Sequence, residues 1–129
     1  MEERFGCEKC WPESAEDAYS STMDFDFEAS LIHESHFWVH IGRCCECNQR
    51  FVRVFTELID WEGGDDSMRD VLMPITEEEA GALLAHGGNL DESVLNGLGS
   101  GRRSLVWDKP KGREPAVRWS SGVFVLPHD

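Results

Sequence analysis

With 129 residues, five Trp and seven Phe, the chain has enough large apolar side chains for one core, and 40% hydrophobic content excludes wholesale disorder. The formal charge of −13 is uneven: residues 1–100 hold 6 basic and 22 acidic side chains, residues 101–129 hold 6 and 3. That balance disfavours long-range attraction to nucleic acid and favours basic partners. No apolar run suggests a membrane span or an export signal, so a reduced, cytoplasmic setting is the expectation.

The first cysteine pair is Cys7-Glu8-Lys9-Cys10, flanked by Phe5 and Trp11. Two cysteines at this spacing can face one metal ion from a tight turn. Such a turn buries little surface by itself, so both aromatics are expected in the core. Residues 13–22 are acidic and Ser-rich and predict a loop, or a short helical turn around Ala15 to Tyr19. From Met23 to Leu31 the alternation is clean. Met23, Phe25, Phe27, Ala29 and Leu31 share one face; Asp24, Asp26, Glu28 and Ser30 share the other. A period of two predicts a half-buried strand, with its carboxylates roughly 6–7 Å apart. His33-Glu34-Ser35-His36 reads as its turn.

Phe37 to Arg43 predicts a second strand, running into Cys44-Cys45-Glu46-Cys47. Phe51 to Trp61 predicts a third leaving it, which places the second cysteine pair at the tip of a β-hairpin. Glu62-Gly63-Gly64-Asp65-Asp66 is an expected exposed turn. Thr76-Glu77-Glu78-Glu79 has capping-box spacing, with Pro74 upstream. Ala80, Leu83 and Leu84 then form an apolar stripe, so a helix starts here and ends near Gly87. Residues 89–104 predict a short helical turn and a glycine-rich link. Leu105 to Trp107, Ala116 to Trp119 and Val123 to Leu126 predict short strands. The expected fold is one α+β domain over residues 1–129. Its antiparallel metal-bearing β part spans 1–73, and one clear helix with a β extension spans 74–129.

Five cysteines suit four ligands and one free thiol better than a disulfide framework. Cys7, Cys10, Cys44 and Cys47 supply four thiolates for a tetrahedral site, and 33 intervening residues let the two turns meet. Phe5-Gly6-Cys7-Glu8-Lys9-Cys10 and Arg43-Cys44-Cys45-Glu46-Cys47-Asn48 resemble the two knuckles of a zinc ribbon. The resemblance covers residues 5–12 and 37–61. Cys45 stands where such knuckles often carry Pro and Asn48 where they carry Gly, a tolerable departure because Asn accepts positive φ. The resemblance implies a structural Zn²⁺, no open coordination position, and a binding surface elsewhere.

Alternatives stay open at this point. A rubredoxin-like iron site uses the same ligand pattern and would make an electron carrier. A dithiol redox pair lacks the expected βαβ surroundings. Cys45 is expected as a free thiol, its alternative being to replace Cys44 in a shifted turn. His33, His36 and His40 flank the hairpin, but strand residues four apart lie about 13 Å apart, so packed or solvated histidines are expected.

The preferred functional expectation is a non-catalytic, zinc-stabilised protein that binds a basic protein partner. Its candidate contact residues are Asp24, Asp26 and Glu28, with Glu62, Asp65, Asp66 and Asp70 as a second acidic group. That second group lacks the EF-hand spacing for Ca²⁺. The rival is a nucleic-acid-binding ribbon using Arg102, Arg103, Lys109, Lys111, Arg113 and Arg118 around Trp107 and Trp119. Against it stands the simpler expectation that the basic tail packs on the acidic body. No phosphate-cradling glycine motif, nucleophile elbow or Cys/His catalytic pair is present in the sequence.

Overall fold

A computed structural model describes residues 5–86, 90, 92–96, 98–99, 101–123 and 125. Among these, six antiparallel strands form one sheet in strictly sequential order: β1 (Asp26–His33), β2 (Phe37–Arg43), β3 (Arg50–Leu58), β4 (Ser67–Ile75), β5 (Arg103–Lys109) and β6 (Ala116–Ser121). Three helices accompany it: α1 (Ala15–Ser21), α2 (Glu77–His86) and α3 (Glu92–Asn96). The chain is α+β, as its patterning predicts. No helix among the described residues is long and apolar enough to cross a membrane.

Alternate residues of a strand face opposite sides of its sheet, and here each side has its own core. Val39 and Ile41 of β2, Val52 and Val54 of β3, Val71 and Met73 of β4, and Val106 of β5 pack with Ala80 and Leu83 of α2 and Leu95 of α3. Phe51, Leu72 and Leu105, from the intervening positions, pack with Cys10, Cys44 and Ala18; Trp11, Tyr19, Phe25 and Trp119 border that cluster. The sheet is thus covered by α2 and α3 on one side and by the N-terminal segment on the other.

Local chemistry fixes the helix starts. Ser14 Oγ accepts the Asp17 N–H at the head of α1. At α2 the capping box is complete: the Thr76 N–H donates to Glu79 Oε1 at 2.8 Å, and the Glu79 N–H donates to Thr76 Oγ1 at 3.1 Å. Thr76→Ala is expected to cost about 1 kcal/mol, read as a lower urea midpoint at unchanged slope.

Several boundaries differ from the sequence expectation. The first strand starts at Asp26, because Thr22–Asp24 forms a 3₁₀ turn. Its pairing with β2 shifts register between Phe27 and Ala29 and again between Ser30 and Ile32. Each such bulge adds a residue and reverses the alternation beyond it. The expected shared apolar face is therefore broken: Leu31 is buried but Phe27 is 66% exposed, and Met23, in the 3₁₀ turn before the strand, is 88% exposed. The third strand ends at Leu58, before the exposed Trp61. Strand β4 occupies a stretch with no predicted element. Asp70 through Ile75 are all buried, so no alternation marks them.

Toward the C-terminus, the short helical turn is present as α3 and the first two short strands as β5 and β6. Val123 and Val125 lie outside any strand; Phe124, Leu126 and the expected helix stop at Gly87 fall outside the described residues.

Candidate metal centre

Two tight turns bring the cysteines together. In the first, the Trp11 N–H donates to the Cys7 carbonyl at 2.8 Å. Gly6 takes φ +71°, and a Cβ there would sit 2.8 Å from Trp11 Cβ and 2.9 Å from Cys10 Sγ, so only glycine fits. In the second turn the Asn48 N–H donates to the Cys44 carbonyl at 3.0 Å, and Asn48 itself adopts φ +64°. Gln49 ties the turns to the sheet. Its Oε1 accepts the Gly6 N–H at 3.1 Å, while its Nε2 donates to the Ile75 carbonyl at 2.8 Å.

The Sγ atoms of Cys7, Cys10, Cys44 and Cys47 all lie within 4.8 Å of one another. Cys7 to Cys10 measures 3.6 Å, Cys7 to Cys44 3.8 Å and Cys10 to Cys47 3.8 Å. A tetrahedral ion with bonds of about 2.3 Å to sulfur requires edges of about 3.8 Å, so the residues fit a metal. The Cys7 N–H points at Cys10 Sγ (3.2 Å) and the Glu46 N–H at Cys44 Sγ (3.4 Å), donors that stabilise thiolates. Burial opposes ionisation of Cys7, but N–H groups of Cys10 and Lys9 outweigh it and bring its pKa to about 7. Burial pushes the Cys10 thiol up instead, so an ionised cluster here calls for a cation at its centre.

Cys45 is exposed and stands outside the cluster, its Sγ 3.8 Å from Lys9 Nζ. The three histidines are also elsewhere. His36 Nδ1 lies 2.9 Å from Glu57 Oε1, and His33 and His40 stack with ring centroids 6.2 Å apart.

The acidic candidates separate into two groups. Asp24 and Asp26 remain 62% and 60% exposed, with only long ionic contacts to Lys9 (3.9 Å) and Arg43 (4.0 Å). Glu62 is exposed too. By contrast, Glu28 accepts Arg50 Nε at 3.0 Å and Asp65 accepts Lys109 Nζ at 2.9 Å. Asp66 Oδ1 accepts the Asp60 N–H. Asp70 belongs to β4 and not to an acidic loop; it is 6% exposed and both its oxygens lie 2.9 Å from Arg53 Nε. Residue patterning also misses Asp60, which organises the loop by accepting N–H groups of Gly63, Glu62 and Asp65 and pairing with Lys111. The Gly63 N–H and Lys111 pull its carboxyl down to about 2.

The basic tail is folded into the body. Arg102 donates to Glu79 at 2.6 Å and Arg118 to Asp108 at 3.2 Å. The Arg103 guanidinium lies 3.8 Å from the Trp119 ring centroid and 5.1 Å from that of Trp11, while Trp119 Nε1 donates to the Glu13 carbonyl. Trp107 stacks on Tyr19.

A ladder of rings on β1–β3 also escaped the sequence reading: Trp38 stacks on His40 at 4.3 Å and on Phe55 at 5.1 Å. Its signal was available in the i, i+2 spacing of Trp38 and His40, but the partner ring comes from another strand. No protein-family model, curated protein or solved structure matches this chain.

Proposed function

We propose that this chain is a non-catalytic binding protein, held together by a structural zinc ion in a ribbon-like four-cysteine site, that engages a basic protein through its β1 edge. The observation that carries the reading is a juxtaposition. Met23 and Phe27, exposed apolar residues at the start of this edge, stand among Asp24 and Asp26, two exposed carboxylates held only by ionic contacts of 3.9 and 4.0 Å. Apolar anchors give affinity once water is excluded, and surrounding charges speed and orient the encounter. Four thiolates close the metal site to substrate, which supports a structural role. The nucleic-acid reading loses support because Arg102, Lys109, Lys111 and Arg118 already pair with carboxylates.

Two measurements test this. Mass spectrometry of untagged protein should find about one zinc per chain, consistent with a single four-coordinate site, and none in Cys7→Ser or Cys47→Ser. Iron with a visible thiolate absorption band would replace the reading with an electron carrier. A basic protein recovered in complex should bind the Asp24→Asn/Asp26→Asn/Glu28→Gln variant about tenfold more weakly, mostly through slower association and mostly at low salt. Equal affinity would remove this surface from the interface.

A further inference from the structure

A sheet of six strands in chain order ends in two open edges, β1 and β6. Among the described residues β1 has one hydrogen-bonded neighbour, β2, so alternate residues of β1 aim their N–H and C=O groups away from the sheet. The two register shifts add to these groups. β1 uses Phe27 to Ala29 where β2 uses only Gly42 and Ile41, and Ser30 to Ile32 where β2 uses only His40 and Val39. Glu28 and Leu31 are thus extra residues that the ladder to β2 skips.

The side chains along this edge divide by face. Asp26 pairs with Arg43, which pairs in turn with Arg50, the residue that Glu28 bonds at 3.0 Å. Arg43 shares the β2 face of Val39 and Ile41, so both carboxylates border that side of the sheet. Phe27 pairs with Gly42 on the opposite face, where its ring meets the His40 ring edge to face, 5.1 Å apart at 88°. Within three consecutive residues, one side of the edge is acidic and the other aromatic.

We propose that β1 takes up a further strand: a short, extended peptide of the basic partner in which cationic and apolar residues alternate. The inference rests on the acidic-edge reading above and specifies how the edge is used. An added strand continues the hydrogen-bond ladder, and its alternate side chains fall on the two faces of the sheet. The cationic ones come beside Asp26 and Glu28, the apolar ones beside the Phe27 ring. Opposite charges and aromatic–aliphatic pairs are favourable neighbours across strands. Asp26 gives up only its 4.0 Å contact with Arg43. Other occupants fit less well. A second copy joined β1 to β1 sets Asp26 and Glu28 against their own images, like charges across one ladder. The far edge, β6, carries Arg118 and no carboxylate, so a basic strand finds no counter-charge along it. The bulges in β1 confine a regular ladder to a few residues, which suits a short peptide and opposes long, flat pairing.

The test titrates metal-loaded protein, labelled at backbone nitrogen, with acetyl-Lys-Val-Lys-Val-Lys-amide at low salt. Three comparison peptides carry the same charge: the block sequence acetyl-Lys-Lys-Lys-Val-Val-amide, and the parent N-methylated either at both valines or at its last two lysines. In an extended strand those two sets of N–H groups face opposite ways. One methylated analogue should therefore bind about tenfold more weakly than the other, having lost its hydrogen bonds to β1. The parent should slow amide exchange along Asp26–His33 and bind about threefold tighter than the block peptide. Phe27→Ala, at an exposed ring, should remove that preference without unfolding the protein. Equal affinity of the two methylated analogues overturns strand addition while leaving the acidic edge in place. Protection of β1 in the free protein, with a doubled mass in sedimentation, gives the edge to a second copy and overturns the proposal. No binding of the parent peptide overturns both readings.

Discussion

Cys10→Ser is expected to lose the metal and at least about 3 kcal/mol of stability, a fraction of the roughly 10–16 kcal/mol that such sites contribute in small zinc peptides. Cys10 is fully buried, and the serine hydroxyl neither ionises like a thiol nor bonds zinc as thiolate does. The damage also spreads through the adjacent packing. Trp11, next in sequence, has its ring centroid 5.4 Å from that of Phe51 and 4.9 Å from that of Trp119. Losing the turn loosens the segment that carries this ring and α1. Urea denaturation with metal analysis checks the total, and hydrogen exchange should show residues 5–24 losing protection before the sheet does. Cys45→Ser is the matched control: an exposed thiol outside the cluster should leave the metal in place and shift stability by no more than about 0.5 kcal/mol.

Asp70→Asn should destabilise the protein by about 3 kcal/mol, because it leaves a guanidinium without its counter-charge in the sheet. Arg53 spans β3 to reach Asp70 on β4, and its guanidinium also lies 6.0 Å from the Trp38 ring centroid. The Arg53 side chain keeps 29% exposure, so water softens the loss and the lower end of the range for buried pairs applies. An Arg53→Met/Asp70→Leu double variant should recover most of the deficit, since removing both charges leaves neither stranded. Thermal or urea midpoints of the two single variants and the double variant measure the coupling directly. A double variant as weak as Asp70→Asn would place the cost in packing and not in charge.

What the sequence made legible was mostly local. The two cysteine turns, the strand entering and the strand leaving the second, and the capped helix after Thr76 each carry their signal within a few residues. The pairing of Cys7 and Cys10 with Cys44 and Cys47 was legible because metal chemistry supplies a reason for four thiols to meet. β1 was displaced because its alternation is real in sequence, yet two bulges undo it in the sheet. β4 was invisible for the opposite reason: its Asp70–Ile75 stretch is buried on both faces and has no polar side to reveal it. Losing β4 also misplaced Asp70, since a carboxylate matched to an arginine 17 positions earlier cannot be told from a solvated one without the register.

The strictly sequential strand order has a consequence for assembly. Each strand pairs with its neighbour along the chain, so β1 to β4 and then β5 with β6 can be laid down by successive hairpins, events of about 1–10 μs, while the longer connection from β4 to β5 carries α2 and α3. The N-terminal segment is different. Glu13 must find Trp119, 106 positions away, and the first cysteine turn must find a second turn already presented by the β2–β3 hairpin. Half of the metal site is thus built early and waits for the other half. An ion bound there would act as a latch closed at the end of folding, joining the beginning of the chain to a sheet already laid down in chain order.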